Sequence, residues 1–346
     1  MQALVLAGGE GTRLRPLTLT IPKPAIQLVD RPFLRHMLDW LGRYGVDDVV
    51  IASGFGAEAL RGALEGGAGE RPAISYVQES EPLGTGGPLR LAADEGMLDE
   101  RFLVLNGDIL ADLDLGALMR AHAESGAVAT LALYPVDDPS AYGVVRTKTG
   151  GEVAEFLEKP DPGEVDTNEI SAGAYVIERR VLDLIPAGRM VSIEREVFPR
   201  LVGNGLYGHA LDGYWMDIGT PERYLQASWD ILEGRVRTEV ADRLDGAGPW
   251  LGADVTIGVQ ASIGARAVVA TGSEVGDGAT VSSSVVLAGS WIGPGAVISD
   301  SILAPSVRIG EGASIGPDAV IGEGARVEAG AELEEGARLA PGELVS

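Results

Sequence analysis

The chain has 346 residues, 45% of them hydrophobic, with 51 acidic against 27 basic side chains and a formal net charge of -24. That length supplies more than one core, the acidic balance disfavours nucleic acid and anionic membranes as partners, and no apolar run approaches the roughly 20 residues of a membrane span. The absence of cysteine removes disulfides, thiolate metal sites and cysteine nucleophiles, and with no export signal in view a cytoplasmic protein is expected.

In chain order, residues 3–7 read as a buried strand that stops at the glycine loop "AGGEGTRLRP". Residues 33–44 have helical spacing, with Phe33, Leu34, Met37, Leu38 and Leu41 on one side. Residues 49–53 form a second strand and 57–64 a helix; 74–77, 102–105 and 128–134 are further strands. Strand and helix in alternation predict an α/β fold with a mostly parallel sheet covered on both faces. Ligands of such folds bind outside the carboxyl ends of the strands, where the glycine loop lies. A last helix follows Gly219, with Thr220 as its cap, Pro221 at its first position and Gly234 at its end.

From Leu251 the pattern changes to a six-residue step. Leu251, Ile257, Ile263, Val269, Val275, Val281 and Leu287 are spaced in this way. After short steps come Ile292, Ile298 and Leu303, and the register then runs through Ile309, Ile315, Ile321, Val327, Leu333, Leu339 and Val345. An unbroken file of Leu, Ile and Val at this period predicts a parallel β-helix of hexapeptide repeats. The pattern resembles the left-handed β-helices of hexapeptide transferases, and the handedness is implied by that resemblance. The expected organisation is a catalytic domain over 1–233, a linker over 234–248 and the solenoid over 249–346. The three histidines, His36, His122 and His209, all precede the solenoid, which therefore reads as an assembly or regulatory element, and they themselves read as structural or surface residues.

The glycine loop has neither the GxGxxG of dinucleotide folds nor the GK[ST] of a P-loop. Gly8, Gly9 and Gly11 would let backbone N–H groups approach a triphosphate; taken alone they fit an ordinary turn equally well. Thr12, Arg13 and Lys23 in the same segment point to phosphate, and Lys23 is one of three lysines, the others being Lys148 and Lys159. "FLVLNGDIL" ends a strand in Asn106, Gly107 and Asp108. A carboxylate there suits Mg²⁺, which takes one or two protein carboxylates and keeps its waters; read alone, the segment is also a plain Asn-Gly turn. Asp217 precedes the last helix, where an aspartate also serves as a helix-flanking residue. Glu158 and Lys159 precede a proline and by themselves fit a surface turn.

The ordered set AGGxGTRLRPLT…PKP, EPLGTGGPL, LNGD, YGVV, FLEKP, SIEREVFP and WMDIGTP resembles the sugar nucleotidyltransferases. "EPLGTGGPL" and "SIEREVFP" place it nearest their guanylyltransferase branch, which joins mannose 1-phosphate to GTP. The resemblance covers nearly the whole chain, because such members carry the same hexapeptide tail. It implies a Rossmann-like catalytic domain followed by a left-handed β-helix, and a reaction in which a sugar 1-phosphate attacks the α-phosphorus of a nucleoside triphosphate and pyrophosphate leaves. The nucleophile is already an anion, so no general base is needed, and catalysis is positioning with charge neutralisation.

By the same resemblance, Arg13 and Lys23 hold the triphosphate and the departing pyrophosphate, and Lys159 holds the sugar phosphate. Leu6, Ala7, Gly8, Gly9, Gly11, Thr12, Glu79, Gly84, Thr85 and Asn106 contact the nucleotide. Gly143, Glu158, Asn168 and Ser171 contact the sugar, and Asp108 and Asp217 bind Mg²⁺. Uridylyl- and thymidylyltransferases of the superfamily place a glutamine five residues before the glycine that opens the base pocket. Aligned on Gly84, that position is Glu79. A carboxylate only accepts, which suits the paired N1–H and amine donors of guanine. The family reads N-x-I-N-A-G where this chain has "NEISAG": Asn168 matches, and Ser171 replaces the second asparagine. A shorter hydroxyl changes reach and hydrogen-bond capacity, which bears on the sugar more than on the nucleotide. A glucose-1-phosphate thymidylyl- or uridylyltransferase and a catalytically silent, nucleotide-sugar-sensing subunit stay open as other readings. The expected partners are small-molecule substrates and, through the tail, further copies of the chain in a homo-oligomer, with neither nucleic acid nor membrane.

Overall fold

The computed structural model describes residues 1–54, 56–64, 72–244 and 248–346. In chain order its elements begin with β1 (Gln2–Leu6), β2 (Gln27–Leu28), β3 (Arg31–Pro32), α1 (Phe33–Arg43), β4 (Asp48–Ser53), α2 (Ala57–Leu64), β5 (Ala73–Gln78), α3 (Gly87–Asp94), β6 (Arg101–Asn106) and β7 (Ile109–Leu113). They continue with α4 (Leu115–Ser125), β8 (Ala129–Pro135), β9 (Gly143–Thr147), β10 (Val153–Glu158), β11 (Glu169–Glu178), α5 (Phe198–Leu201), β12 (Leu206–Ala210), β13 (Gly213–Asp217), α6 (Pro221–Leu232) and α7 (Glu239–Arg243). Short strands of the solenoid follow. The described residues fall into two compact units, one within 1–9, 37–57 and 66–215, the other within 10–36, 58–65 and 216–346.

The first unit is built on one nine-stranded sheet in the order β10-β9-β11-β6-β1-β4-β5, with β8 bonded to β11 and β12. Strands β6, β1, β4 and β5 run parallel. Ala3, Leu4 and Val5 of β1 and Val49, Val50, Ile51 and Ala52 of β4 are fully buried, the continuous apolar run that a sheet covered on both faces requires. Beyond β6, β11 enters antiparallel to β6, β8 and β9. Leu6 lies beside Ala52 and Asn106, and Ser53 beside Gln78, so the carboxyl ends of the four parallel strands share one edge. Under the sheet Tyr175 meets Phe198 edge-on, with centroids 5.1 Å apart. His122 is buried against Thr130 and Glu178, a structural role.

In the second unit, residues 10–25 form short 3₁₀ turns. The Thr220 hydroxyl accepts from Arg223 N–H to cap α6, Pro221 opens the helix, and Gly234 follows it in the left-handed region with φ 70. Tyr224, Leu225, Ser228, Ile231 and Leu232 make its buried face. Within the segment read as a linker, Thr238 caps α7, and Glu239 pairs with Arg31; residues 245–247 of that segment lie outside the described residues.

The tail forms three parallel sheets, with six, six and five strands, around one aliphatic core. This is the architecture of the left-handed parallel β-helix. One file stacks Leu251, Val269, Val286, Leu303, Ile321 and Leu339. The next stacks Ile257, Val275, Ile292, Ile309, Val327 and Val345, and the third Ile263, Val281, Ile298, Ile315 and Leu333. One rung differs from the spacing read in the sequence: Val286, not Leu287, holds the ladder position. The five-residue step falls at Ser282–Ser283–Ser284, one step earlier than expected, and the neighbouring aliphatic Leu287 is itself buried. Buried Ser273, Ser284, Ser290 and Ser301 pack the corners. The Oγ atoms of Ser273 and Ser284 accept the backbone N–H groups of Ser290 and Ser301.

Candidate active site

In the first unit the predicted nucleotide residues gather on the carboxyl edge of the parallel strands. Leu6 O accepts Gly107 N–H at 2.8 Å, and Ala7 N–H is held by Ala52 O at 2.8 Å. Beside them Glu79 is anchored by its own N–H to Ser53 O at 3.0 Å. Its Oε2 accepts Leu83 N–H at 2.9 Å, and its Oε1 lies 2.7 Å from where a Cβ on Gly8 would sit. Glycine at position 8 therefore lets the loop approach the carboxylate. Gly9 meets nothing comparable. Burial pushes the Glu79 carboxyl above its ordinary pKa, opposed by the Leu83 bond.

The loop carrying Gly84 and Thr85 is stitched to residues 191–194. Val191 N–H donates to Leu83 O at 3.0 Å and Gly86 N–H to Val191 O at 2.8 Å. The Thr85 hydroxyl donates to Glu194 Oε2 at 2.5 Å and accepts Ile193 N–H at 2.9 Å. Ser192 Oγ adds a second donor to the same Glu194 oxygen at 2.8 Å. The motif "SIEREVFP" carries no task in the sequence beyond its branch resemblance; here its Ser192 and Glu194 brace the Gly84–Thr85 loop.

A third group surrounds Tyr175. Its hydroxyl lies near the Asn106 side chain and receives Ser171 Oγ at 3.4 Å. Burial, then Glu194, pushes that hydroxyl far above the ordinary tyrosine range, so it stays protonated. Asn106 Oδ1 is buried and finds no hydrogen-bond partner in the protein, an acceptor that a bound hydroxyl or N–H would satisfy. A Cβ on Gly143 would come within 3.1 Å of Glu158 Oε2. The Glu158 carboxyl is raised first by burial and then by Glu194, while Lys159 and Arg195 pull it back. Lys159 holds φ 51, a left-handed backbone rare for a long side chain, and its N–H is fixed on Tyr142 O at 3.0 Å. Asn168 contributes its carbonyl to Val136 N–H at 3.0 Å. Trp215, unread in the sequence, donates its indole N–H to Ala172 O at 2.8 Å and packs on Tyr134 and Tyr142. Asp108 is half-buried in the β6–β7 turn.

The second unit brings together Gly11, Arg13, Lys23 and Asp217. Gly11 takes φ 61 and its carbonyl accepts Thr18 Oγ1 at 2.8 Å. Thr12 opens the 3₁₀ turn that carries Arg13. Buried Lys23 passes its Cβ within 3.2 Å of a Cβ built on Gly11. The Arg13 guanidinium stands 3.9 Å from Asp217 Oδ2, and Arg13 is 66% exposed. A Cβ on Gly219 would come 2.5 Å from Arg13 Nη2, so glycine there leaves the guanidinium its place.

Among the described residues, no group of three or more His, Cys, Asp or Glu could hold a metal ion. Asp108 lies in the first unit and Asp217 in the second, and each offers only carboxylate oxygen, the donor type of a hard cation such as Mg²⁺.

Residues 2–234 match the model of the Nucleotidyl transferase family, and residues 250–335 match that of the GMPPB C-terminal domain. The chain belongs to the nucleotidyl transferase family. It is 41% identical over 237 residues to the mannose-1-phosphate guanylyltransferase of Mycobacterium tuberculosis, covering 68% of this chain and 65% of that relative. Mannose-1-phosphate guanylyltransferase 1 of Arabidopsis thaliana is 42% identical over 231 residues, 65% of this chain and 63% of the relative. The matched part thus spans just under two thirds of these relatives. Among solved structures, HddC from Yersinia pseudotuberculosis is similar at a TM-score of 0.57 and 26% identity, covering 66% of this chain and 97% of that one; a second structure of HddC is complexed with GMP-PN. No helix among the described residues is long and apolar enough to cross a membrane.

Proposed function

We propose that the chain is a mannose-1-phosphate guanylyltransferase. A phosphate oxygen of mannose 1-phosphate attacks the α-phosphorus of GTP, the bond between that phosphorus and the α–β bridging oxygen breaks, and pyrophosphate leaves with the electron pair. The products are GDP-mannose and pyrophosphate. The observation that carries this reading is the shared edge of Leu6, Ser53, Gln78 and Asn106, with Glu79 beside it and the Gly84–Thr85 loop stapled by Glu194. Names of relatives at about 40% identity support the same substrates.

In this reading Arg13 and Lys23 neutralise the triphosphate and the leaving pyrophosphate. Lys159 takes the sugar phosphate, and Glu158 accepts from sugar hydroxyls together with Gly143, Asn168 and Ser171. Leu6, Ala7, Gly8, Gly9, Gly11, Thr12, Gly84, Thr85 and Asn106 line the nucleotide. Asp108 and Asp217 are the residues that would hold Mg²⁺, which when bound supplies charge neutralisation on the phosphates. Residues 1–233 are assigned to catalysis, 234–248 to a connection and 249–346 to assembly in a cytoplasmic homo-oligomer. Deleting the chain after Gly248 is expected to change the oligomeric state. Monomers in sedimentation both before and after truncation would refute the assembly role.

Glu79 selects the base. Its Oε1 and the shared Oε2 would receive the N1–H and amine of guanine, a geometry that thymine and uracil do not offer. The second reading is a glucose-1-phosphate thymidylyl- or uridylyltransferase, in which a base edge that both donates and accepts faces Glu79. Pyrophosphate release across GTP, dTTP, UTP and ATP with mannose and glucose 1-phosphates separates the two. Charge-assisted bonds contribute about 1.5–3 kcal/mol, so GTP is expected to exceed dTTP by at least about tenfold in kcat/KM, and Glu79→Gln to erode that ratio. Equal use of GTP and dTTP by the wild type would overturn the assignment.

A further inference from the structure

The indole N–H of Trp229, in the second half of α6, donates to Ser283 O at 3.2 Å. The Arg266 guanidinium lies 5.3 Å from the centre of the Trp229 ring, and its Nε donates to Glu233 Oε1 at 2.5 Å. Trp229 and Glu233 are four residues apart and so share one side of the helix. Arg266 and Ser283 occupy the same corner of adjacent coils, between the strands Ser262–Ile263 and Val268–Val269 and between Thr280–Ser282 and Val285–Val286. One solenoid corner therefore grips one end of α6 by a hydrogen bond, a cation–π contact and an ion pair.

That corner is one of two at which the ladder advances by five residues, the other lying between Ile298 and Leu303. Ser283 holds φ 48, in the left-handed region, as do Asp254, Gln260, Asp300, Ser306 and Asp318 at other turns of the coil. It is also where the first five-residue step falls, so the ladder advances from Val281 to Val286. The shortened step and a left-handed residue coincide at the carbonyl that receives the indole, as they also do at Asp300, which makes no such contact with α6 in the bonds described above.

At its other end α6 begins beside the proposed phosphate residues. Thr220 caps it, Gly219 gives room to the Arg13 guanidinium, and Asp217 stands 3.9 Å from Arg13. Arg338 of a later coil reaches Glu222 in the first turn at 4.0 Å. A helix of 12 residues spans about 18 Å at its fixed rise and carries displacement at one end to the other.

We propose that Trp229 and Arg266 are positioning residues: acting through α6, they fix the turn of Asp217, Thr220 and Gly219 and hold the Arg13 guanidinium in register with it. The solenoid then sets the geometry of phosphate handling in its own polypeptide, besides any part in assembly. This rests on the guanylyltransferase reading of Arg13 and Asp217.

The test uses the full chain and three variants. Trp229→Ala removes ring and donor, Trp229→Phe removes the donor alone, and Arg266→Met removes the cation. Amide hydrogen exchange without substrate reads the turn directly. Exchange over residues 216–224 is expected to speed by about tenfold in Trp229→Ala, and less in the other two, with β1 and β6 unchanged. With GTP and mannose 1-phosphate, kcat is expected to fall by about tenfold while KM for GTP moves less than about threefold, since misplacement acts on the reacting geometry. Should Trp229→Ala fail to fold, the other two variants carry the same readouts. Wild-type exchange over 216–224 in all folded variants overturns the proposal, as does faster exchange with wild-type kcat. If the wild type releases pyrophosphate with no nucleotide and sugar phosphate pair, the guanylyltransferase reading falls, and the exchange arm alone decides whether the corner holds the turn.

Discussion

Replacing Arg13 by alanine is expected to lower kcat/KM for pyrophosphate release by roughly hundredfold to thousandfold, the scale of losing one preorganised group that stabilises transition-state charge. Its melting temperature should stay close to wild type, because the side chain is 66% exposed and its partner Asp217 Oδ2 is 3.9 Å away, a spacing that contributes little to stability in so wet a position. Gly219→Ala is the milder companion: its Cβ would come 2.5 Å from Arg13 Nη2, which displaces a flexible guanidinium without touching the fold. A folded Arg13→Ala enzyme with wild-type turnover would remove Arg13 from the phosphate site.

Glu194 should give the second large effect, although its sequence context implies neither a sugar nor a nucleotide role. Its Oε2 receives both Thr85 and Ser192 hydroxyls, and Glu194→Ala leaves those donors and the Gly84–Thr85 loop without their anchor. Losing charge-assisted bonds of about 1.5–3 kcal/mol is expected to raise KM for GTP by roughly tenfold or more. Glu194→Gln keeps an acceptor and removes the charge, so it isolates electrostatics. Glu158 is raised first by burial and then by Glu194, and an acid raised in this way is ionised only above its raised pKa. On the proposed sugar role of Glu158, sugar binding is therefore expected to be lost as the pH falls, earlier than for an ordinary exposed glutamate. Removing the Glu194 charge lowers Glu158 toward its ordinary value, and the acid limb of KM for mannose 1-phosphate should move to lower pH. An unmoved limb in Glu194→Gln would separate the two carboxylates.

The contrast between Arg13 and Glu194 marks what the sequence discloses. Arg13 sits in a local grammar: a buried strand, glycines, then a cation within a few residues. The helix after Gly219 is legible for a similar reason, since Thr220, Pro221 and Gly234 satisfy helix ends by local chemistry, and α6 runs Pro221–Leu232. Glu194 meets Thr85 across 109 residues, and no local period encodes a bond between a loop and a distant turn. Trp215 on Ala172 O is another such case. Ser53 differs from both: the sequence reads it only as the end of a strand, and its buried Oγ has no hydrogen-bond partner in the protein. The solenoid shows the opposite limit. Its period is legible over nearly a hundred residues, but the spacing points to Leu287 where the ladder holds Val286, because two adjacent aliphatic residues satisfy the same pattern and only strand pairing separates them.

The stacked files of the tail also restrict how its length can change. Leu251 pairs with Val269, and Leu303 with Ile321, eighteen positions on; Val269 pairs with Val286, and Val286 with Leu303, seventeen on. Inserting a whole coil adds one rung to every file and leaves each aliphatic side chain inside, since each coil meets only its neighbours. Inserting a single residue in mid-strand reverses the side-chain alternation of everything after it until a corner absorbs the slip. The lineage of such a tail is therefore expected to grow and shrink in quanta of one coil, with single-residue changes confined to corners such as Ser283 and Asp300, which already hold left-handed backbone at φ 48 and 46.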